Sequence, residues 1–320
     1  MTKIVILTGP TGVGKTEIAT IISQKLSAEI ISADSRQVYK YLTIGTNKPI
    51  GEWKIVSKDK VYIYNDIPYH LVDFLDVTQN YDAGTFYQDA TELIKKISSK
   101  AKLPLIVGGT GLYIKTLTDG ISELPKRNDV IRNYLLNLKE LYGKDYLYTM
   151  LKNLDPKRAQ EIHPNNIHRI IRSLEIILQT GKPFSELVKE TQKLPIYDTL
   201  LLCIYIEKNI LKKRIIERTE WMFKNGIIEE TKQLLSKGYN ENIPAFSSIG
   251  YKWILKLIKN EIDIDTAKQN IVKDTMAYIK RQLIWFKKDK KIQWIDCSNY
   301  SLKETIDKIY QMIYKYLWKK

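Results

Sequence analysis

Cysteine is scarce in this sequence, with Cys203 and Cys297 as the only two among 320 residues. They lie far apart, and no C-x-x-C pair or paired cysteine–histidine spacing accompanies them. This pattern excludes a zinc finger and a disulfide framework. It is typical of a reducing compartment, so we expect a cytosolic, cytoplasmic protein.

Long hydrophobic runs are also missing. The longest, such as residues 200–206, fall far short of the roughly 20 apolar residues that a transmembrane helix needs, so no association with a membrane is expected. The first apolar run, residues 4–7, lies close to the first residue of the sequence, so no signal peptide is expected. Hydrophobic residues still make up 44% of the chain, which is enough for a packed core.

Acidic residues are too few to balance the basic ones. The chain has 51 Lys and Arg against 36 Asp and Glu, a formal net charge of +15. Such an excess favours a polyanionic partner, because neutralisation of phosphates drives nucleic-acid binding. The alternative is a lysine-rich surface that is merely solvated, and the charge alone does not choose between them.

A phosphate-binding loop is the clearest feature that the sequence contains. A strand-like run at residues 4–7 precedes the spacing G-x-x-x-x-G-K-T, and a helical pattern follows from Glu17. Glycines let backbone amides surround an anion, and the helix that starts there adds a positive dipole end. Lys15 supplies a charge, and the hydroxyl of Thr16 can hold Mg²⁺. The predicted phosphate or diphosphate site comprises Gly9, Pro10, Thr11, Gly12, Val13, Gly14, Lys15 and Thr16.

Asp34 follows a second predicted strand, residues 28–32. Ligands of open α/β sheets gather beyond the carboxyl ends of the strands, so Asp34 is expected beside the phosphate loop. It could act as a catalytic base, cap a helix or bind a Mg²⁺-bound water. A third predicted strand, residues 103–107, ends in glycines and Thr110 rather than in the acidic residues of a motor ATPase.

The strand pattern disappears between residues 121 and 198, where only helices are predicted. We therefore expect an α/β core formed by residues 1–120 and 199–320, with an all-helical insertion domain at residues 121–198. Residues 41–68 are expected to form a loop with short strand pieces. Asp265 is expected to cap the last long helix before the C-terminal strand.

Basic and aromatic residues alternate in residues 280–287, near the end of that long helix. Such a pattern suits phosphate contact and base stacking. The alternative is an amphipathic helix with Trp285 and Phe286 in the core. A second basic face, with His168, Arg169 and Arg172, is predicted opposite the apolar side of a helix in the insertion.

Several separated motifs occur along the chain, at residues 9–16, 34–39, 44–49, 107–113, 162–165, 168–172, 249–251 and 280–286. In this order they resemble one family, the tRNA dimethylallyltransferases, which modify the adenosine immediately 3′ of the anticodon. Tyr41 departs from the family, where glycine is common, and Lys252 and Lys287 replace frequent arginines.

The resemblance implies a P-loop NTPase or nucleotide-kinase-like parallel-sheet core and an insertion that grips the tRNA anticodon stem-loop. It implies transfer of a dimethylallyl group from dimethylallyl diphosphate to adenine N6, with release of diphosphate and with Mg²⁺ as cofactor, by a monomer. Three alternatives stay open: an isopentenyl transferase acting on free adenine nucleotides, a P-loop small-molecule or nucleotide kinase, and a non-catalytic RNA-binding protein. The helical insertion and the basic segments favour tRNA.

Roles for individual residues complete the hypothesis. Because the proton of adenine N6 must leave, Asp34 is the predicted catalytic base, and Thr110 is predicted to orient the amine. The resemblance maps Arg218 onto a diphosphate contact. The expected tRNA-binding residues are Asp34, Ser35, Arg36, Gln37, Thr110, Arg132, His168, Arg169, Ile170, Ile171, Arg172, Ser247, Ser248, Ile249, Gly250, Tyr251, Lys252, Lys280, Arg281, Gln282, Leu283, Ile284, Trp285, Phe286 and Lys287.

Overall fold

The computed structural model of the chain describes residues 1–56 and 59–318. The chain divides into two compact units. Unit 1 comprises Met1–Thr118 and Ile196–Lys320, and unit 2 comprises Asp119–Pro195. The boundaries of unit 2 lie within a few residues of the insertion expected at 121–198.

Unit 1 contains a mixed sheet in the order β3-β4-β5-β2-β6-β1-β7-β8. Neighbouring strands from β5 to β8 pair in parallel, whereas β3, β4 and β5 pair antiparallel. The α/β prediction is therefore confirmed. The strands are β1 (Thr2–Thr8), β2 (Ala28–Ser32), β3 (Glu52–Val56), β4 (Asp59–Tyr64), β5 (Ile67–His70), β6 (Leu103–Gly108), β7 (Tyr197–Tyr205) and β8 (Gln293–Asp296).

Helices cover both faces of this sheet and form unit 2. In unit 1 they are α1 (Lys15–Leu26), α2 (Ala83–Ser99), α3 (Gly111–Asp119), α9 (Lys208–Lys224), α10 (Ile227–Ser236), α11 (Tyr251–Ile258), α12 (Ile264–Lys287) and α13 (Leu302–Trp318), with a short 3₁₀ helix at Pro244–Ser247. In unit 2 they are α4 (Asp129–Tyr142), α5 (Lys144–Leu154), α6 (Pro156–Gln160), α7 (Ile167–Thr180) and α8 (Phe184–Glu190).

The central strands are continuous apolar runs because both of their faces are buried. In β1, Val5 and Leu7 pack with residues of α1 and α13, whereas Ile4 and Ile6 pack with residues of α2 and α3 on the opposite face. The carboxyl ends of β1, β2 and β6 meet at one edge of the sheet. The phosphate loop, Asp34 and Gly109 follow those three ends, so the fold brings them together.

The antiparallel strands β3 to β5 occupy the segment expected to be mostly loop. Every residue of β3 is exposed, so this edge strand lacks the apolar alternation that marks a half-buried strand. The helix cap expected at Asp265 is wrong by two residues, because Asp263 is the N-cap of α12. Asp263 accepts the amide hydrogen of Thr266 at 2.6 Å, and Asp265 lies inside the first turn of α12.

Tyr41 has a φ of +65°. An L-residue in this left-handed region costs about 1 kcal/mol relative to glycine. Part of the cost is offset by a cation–π contact, because the Lys237 ammonium lies 4.1 Å from the centre of the Tyr41 ring.

Unit 2 is a small helical bundle with its own apolar core. Leu135, Leu147, Leu151 and Leu174, from three of its helices, are completely buried there. Its first long helix begins where the sequence predicts, since the Asn128 side chain accepts the amide hydrogen of Ile131 at 3.1 Å.

Across residues 1–56 and 59–318, no helix has both the length and the hydrophobicity needed to span a lipid bilayer.

Candidate active site

The phosphate loop joins β1 to α1 in a conformation that requires glycine. Gly12 and Gly14 have φ values of +87° and +92°, in the left-handed region that L-residues with side chains rarely adopt. The Lys15 ammonium donates to the carbonyl oxygens of Gly9 at 2.9 Å and Pro10 at 2.8 Å. The loop therefore closes on its own lysine, ahead of the helix N-terminus where an anion binds.

Two half-buried cations, Lys15 and Arg218, lie beside this loop. Burial lowers the pKa of Lys15 to about 8, although the nearby Asp34 carboxylate opposes the shift. Burial also lowers the pKa of Arg218 to about 10, again opposed by Asp34. Arg218 donates from Nη1 to the Thr11 hydroxyl at 2.9 Å, and its buried Nε has no hydrogen-bond partner in the part of the chain that the structure describes. Such under-neutralised cations favour an anionic ligand.

Asp34 lies between the ends of β2 and β6. Its Oδ1 accepts the amide hydrogens of Arg36 at 2.9 Å and Gln37 at 3.4 Å, so this oxygen caps the turn that follows. Its Oδ2 accepts no hydrogen bond from the residues described. One oxygen of Asp34 thus caps a turn, not the helix that the sequence left open, while the other stays available as a proton acceptor.

Thr110 fixes the turn of Asp34 from the neighbouring strand. Its hydroxyl oxygen accepts the amide hydrogen of Ser35 at 3.0 Å, and its own amide donates to the carbonyl of Ala33 at 3.1 Å. The residues before and after Asp34 are therefore both bonded to Thr110. In this structure Thr110 positions the Asp34 backbone.

Two cavities meet at these residues. The small cavity has a volume of about 310 Å³ and the large cavity about 800 Å³. Both are lined by Thr11, Lys15, Asp34, Thr46 and Arg218. A donor in one cavity and an acceptor in the other would therefore meet next to the Asp34 carboxylate and the half-buried cations Lys15 and Arg218.

The linings of the two cavities differ in chemistry. The large cavity adds the exposed Arg214, a further cationic group suited to a diphosphate, and the buried Lys48, which is paired with Asp73. The small cavity adds apolar groups such as Ile215, Met222 and the ring of Tyr278. Burial raises the pKa of the Tyr278 hydroxyl to about 12, so this phenol remains a neutral hydrogen-bond donor.

The large cavity also offers oxygen atoms of the kind that Mg²⁺ prefers. Thr16, Ser32 and Asp34 line it. No group of three or more His, Cys, Asp or Glu side chains within the described residues could hold a metal ion by itself. The residues therefore fit a Mg²⁺ ion that takes few ligands from the protein and the others from phosphate oxygens and water.

Helix α12 is hydrogen-bonded to the phosphate loop and to the loop that follows β6. Gln282 accepts the amide hydrogen of Thr11 through Oε1 at 3.0 Å and donates from Nε2 to the carbonyl of Gly109 at 2.9 Å. A Cβ atom on Gly109 would lie 2.4 Å from this Nε2, and one on Gly111 would lie 2.3 Å from the Trp285 ring. Glycine is needed at both positions because α12 approaches so closely.

Comparison with known proteins fits this geometry. Residues 37–289 match the family model described as IPP transferase. The chain belongs to the IPP transferase family. A model described as isopentenyl transferase also matches residues 2–68.

Relatives within the family share nearly the full length of the chain. A tRNA dimethylallyltransferase of Caldicellulosiruptor saccharolyticus is 38% identical, over 97% of each chain. The tRNA isopentenylpyrophosphate transferase of Bacillus halodurans superposes with a TM-score of 0.68 at 31% identity, covering 98% of this chain and 96% of that one. A eukaryotic dimethylallyltransferase acting on tRNA gives a TM-score of 0.82 at 26% identity, covering 100% and 80% of the two chains. The P-loop NTPase-like fold expected from the sequence is confirmed.

The residues expected to contact RNA divide into three groups. The first lines the cavities or is exposed in unit 1, as Arg36 illustrates by donating to the Ser247 hydroxyl at 2.8 Å within the small cavity. In unit 2, His168 and Arg169 are exposed. The other members of this accessible group are Ser35, Gln37, Ile249, Lys252, Lys280, Arg281, Ile284 and Lys287. Lys252 is also paired with Asp274 at 2.8 Å.

The second group consists of buried or half-buried residues, most of which are occupied by packing within the protein, and a role for them in RNA binding stays a prediction. Ile170 and Ile171 belong to the core of unit 2, while Tyr251 and Phe286 are buried in unit 1. Gln282 is occupied by its bonds to the two loops. Ser248, Gly250, Leu283 and Trp285 are buried or half-buried and belong to the packing around the site. The alternative that Trp285 and Phe286 are core residues is therefore the better one.

Arg132 and Arg172 form the third group, which is committed to an ion pair. Both guanidinium groups lie 2.9 Å from Oε2 of Glu175, whose side chain is completely buried. Arg172 also donates to the carbonyl of Pro125 at 2.6 Å. The arginine hydrogen bonds help to lower the pKa of Glu175 despite its burial. These arginines stabilise unit 2, a role that their exposed positions on predicted helices did not indicate.

We expect Arg169→Ala and Arg172→Ala to have different effects. Arg169→Ala should reduce the salt dependence of tRNA binding by about one unit of logarithmic slope for one lost phosphate contact. Arg172→Ala should lower the local free energy of unfolding of unit 2 by about 2 kcal/mol, because a buried carboxylate loses a charged partner. Filter binding at several salt concentrations checks the first, and hydrogen exchange in peptides of α4 and α7 checks the second. An unchanged exchange rate in Arg172→Ala would contradict the structural role.

Sequence reasoning missed three residues at the site. Lys48 was within a family motif but had no assigned role; its ammonium donates to the carbonyl of Tyr39 at 2.8 Å and pairs with Asp73. Arg214 precedes Arg218 by one helical turn, which was a signal that both face one ligand. Glu230 gave no signal, since it resembles any acidic residue in the first turn of a helix.

Proposed function

We propose that this member of the IPP transferase family transfers a dimethylallyl group from dimethylallyl diphosphate to N6 of the adenosine immediately 3′ of the tRNA anticodon. The observation that carries the proposal is the meeting of two cavities at Asp34, Lys15 and Arg218. A leaving diphosphate needs the cations, and an amine nucleophile needs the carboxylate. The names of the relatives, which are tRNA dimethylallyltransferases, support the same substrates.

The chain contributes charge stabilisation to the departure of the diphosphate. When the bond between C1 of the allyl group and oxygen breaks, negative charge develops on the diphosphate. The loop amides, the Lys15 ammonium and the Arg218 guanidinium are preorganised for that charge, which is worth more in a buried site than in water. Thr16 would hold Mg²⁺, and the ion supplies further neutralisation of the diphosphate oxygens when it is bound.

Asp34 accepts the proton that the acceptor must lose. The new bond joins C1 of the allyl group to N6 of adenine, and the N6 proton passes to Oδ2 of Asp34, the oxygen that caps no amide. Thr110 and the Arg36 amide hold the carboxylate in place. The target adenine can reach Asp34 only after it leaves its stacked position in the anticodon loop.

Two alternatives predict other substrates. A P-loop kinase would use ATP as donor, and an isopentenyl transferase of free nucleotides would not need a separate helical unit with an exposed basic helix. The family relatives do not favour the kinase. That the protein acts as a monomer in the cytoplasm stays a prediction.

Mass analysis of nucleosides tests the proposal. Unmodified tRNA incubated with the protein, Mg²⁺ and dimethylallyl diphosphate should gain the mass of one dimethylallyl group on an adenosine beside the anticodon. AMP and adenine should gain none under the same conditions. Modification of AMP instead of tRNA, or turnover of ATP without an allylic donor, would overturn the proposal in favour of the corresponding alternative.

A further inference from the structure

Glu230 on α10 accepts hydrogen bonds from four donors in distant parts of the chain. Its Oε2 accepts the amide hydrogens of Thr43 at 2.7 Å and Ile44 at 2.8 Å, and its Oε1 accepts that of Gly45 at 3.2 Å and the Tyr251 hydroxyl at 2.6 Å. An ionised carboxylate is purely an acceptor, with about four lone-pair sites. Its hydrogen-bonding capacity is thus matched by these four donors.

The three amides open a compact turn, residues 43–48, which we name the 43–48 loop. The Lys48 amide donates to the Thr43 carbonyl and the Asn47 amide to the Ile44 carbonyl, both at 3.1 Å. Thr46 of this loop lines both cavities, and Lys48 lines the large one. The position of the loop therefore sets the width of the junction where donor and acceptor meet.

The 43–48 loop is also connected to the turn of Asp34. The Gln37 side chain donates from Nε2 to the Asn47 carbonyl at 3.1 Å and to the Thr46 carbonyl at 3.5 Å. The Gln37 amide in turn donates to Oδ1 of Asp34. A displacement of the loop would be transmitted through Gln37 to the carboxylate.

Tyr251 prevents the loop from settling elsewhere. Its side chain is completely buried, and a Cβ atom on Gly45 would lie only 2.4 Å from its hydroxyl oxygen. The loop backbone thus rests directly on the tyrosine ring. Burial and the Glu230 carboxylate together keep the pKa of Tyr251 well above its ordinary value, so the hydroxyl remains a donor to Glu230.

We propose that Glu230 is a positioning residue for the transfer reaction, which fixes the 43–48 loop and through it the junction of the two cavities. The inference rests on the proposed function, because it concerns the geometry of that reaction. Glu230 lines neither cavity, so it acts through the loop and not through contact with either substrate.

Glu230→Gln tests this inference with little change in volume. Glutamine places an amide NH₂ where one carboxylate oxygen stood, so at least one of the four donors loses its hydrogen-bond acceptor. Misplacement of reacting groups by about 1 Å costs up to about 100-fold in rate, and we expect the single-turnover rate with bound tRNA to fall by about 10- to 100-fold. Affinity for tRNA should stay within about three-fold, because phosphate contacts elsewhere set it.

Glu229→Gln is the matched control, since Glu229 is the exposed neighbour on the same helix. It should retain the wild-type rate. Tyr251→Phe, which removes one donor and leaves the three amides, should reduce the rate less than Glu230→Gln. Rates are expressed per tRNA-binding-competent enzyme, so that a loss of folded protein does not count as a loss of rate.

The outcomes separate the two proposals. If wild-type protein transfers no allyl group to tRNA, the proposed function fails. If wild-type protein is active and Glu230→Gln has the same rate per competent enzyme, the positioning role is overturned. A parallel loss of rate and of tRNA-binding capacity, with an unchanged ratio, would also overturn it, because a purely structural residue gives that result.

Discussion

Asp34→Asn will lower the turnover number by about 10²- to 10⁴-fold, the usual contribution of a general base. Asparagine keeps a carbonyl oxygen in the place of Oδ1, so the amides of Arg36 and Gln37 retain their acceptor and the turn is preserved. It presents NH₂ where Oδ2 stood, and this group cannot take a proton from adenine N6. Affinity for tRNA is expected to change only a few-fold.

Single-turnover experiments with bound tRNA measure this effect apart from binding. Asp296→Asn is a suitable control, because Asp296 forms a similar turn at the end of β8, where its Oδ1 accepts the Ser298 amide hydrogen at 2.9 Å. Asp296 lines neither cavity and its variant should keep the full rate. A normal rate in Asp34→Asn would remove the carboxylate from the proposed mechanism.

Lys15→Ala will reduce kcat/KM for the allylic donor by about 10²- to 10³-fold. This is the usual effect of removing one preorganised donor that stabilises a developing negative charge. The loss should fall on the donor because Lys15 is bonded within the phosphate loop and lies in the junction of the cavities. Lys25→Ala, at an exposed position on the same helix, provides the control. Its Lys25–Asp307 ion pair spans 3.5 Å at the surface, where such pairs contribute little.

Equilibrium binding of the donor and of tRNA to each variant decides the assignment of Lys15. The donor dissociation constant should rise in Lys15→Ala while the tRNA dissociation constant stays nearly constant. A larger effect on tRNA than on the donor would mean that the phosphate loop contacts RNA, and the proposed division between the cavities would have to be abandoned.

Much of the sheet could be predicted from the sequence, because a strand that is buried on both faces consists mostly of apolar residues. Segment 103–107 is an unbroken apolar run and segment 28–32 is interrupted only by Glu29 and Ser32, and the two match β6 and β2. The helix Ala83–Ser99 shows a single apolar face and an Asp82 cap. Strong local patterns of this kind need no knowledge of their partners.

The antiparallel strands at the sheet edge could not be predicted in the same way. β3 exposes all of its residues, and its formation depends on pairing with β4, such as Trp53 opposite Tyr62. A single sequence carries no direct record of such pairing. The structure was also needed to distinguish Asp263 from Asp265, since either could begin a helix.

The same limit applies to the site. The loop at residues 9–16 and Asp34 were predictable because motif and strand end place them together. The pairing of Arg132 and Arg172 with Glu175 was hidden, because a charged residue on a helix looks identical whether its partner is RNA or a buried carboxylate. Gln282 was likewise assigned to RNA, although its amide bonds the Thr11 and Gly109 backbones of the protein.

The bonds of Gln282 have a mechanical consequence. One side chain holds the Thr11 amide and the Gly109 carbonyl, while its neighbours Lys280 and Arg281 face solvent on the same helix. A macromolecule that binds Lys280 and Arg281 and displaces α12 would therefore also displace Thr11 and Gly109, because Gln282 is the next residue of the helix.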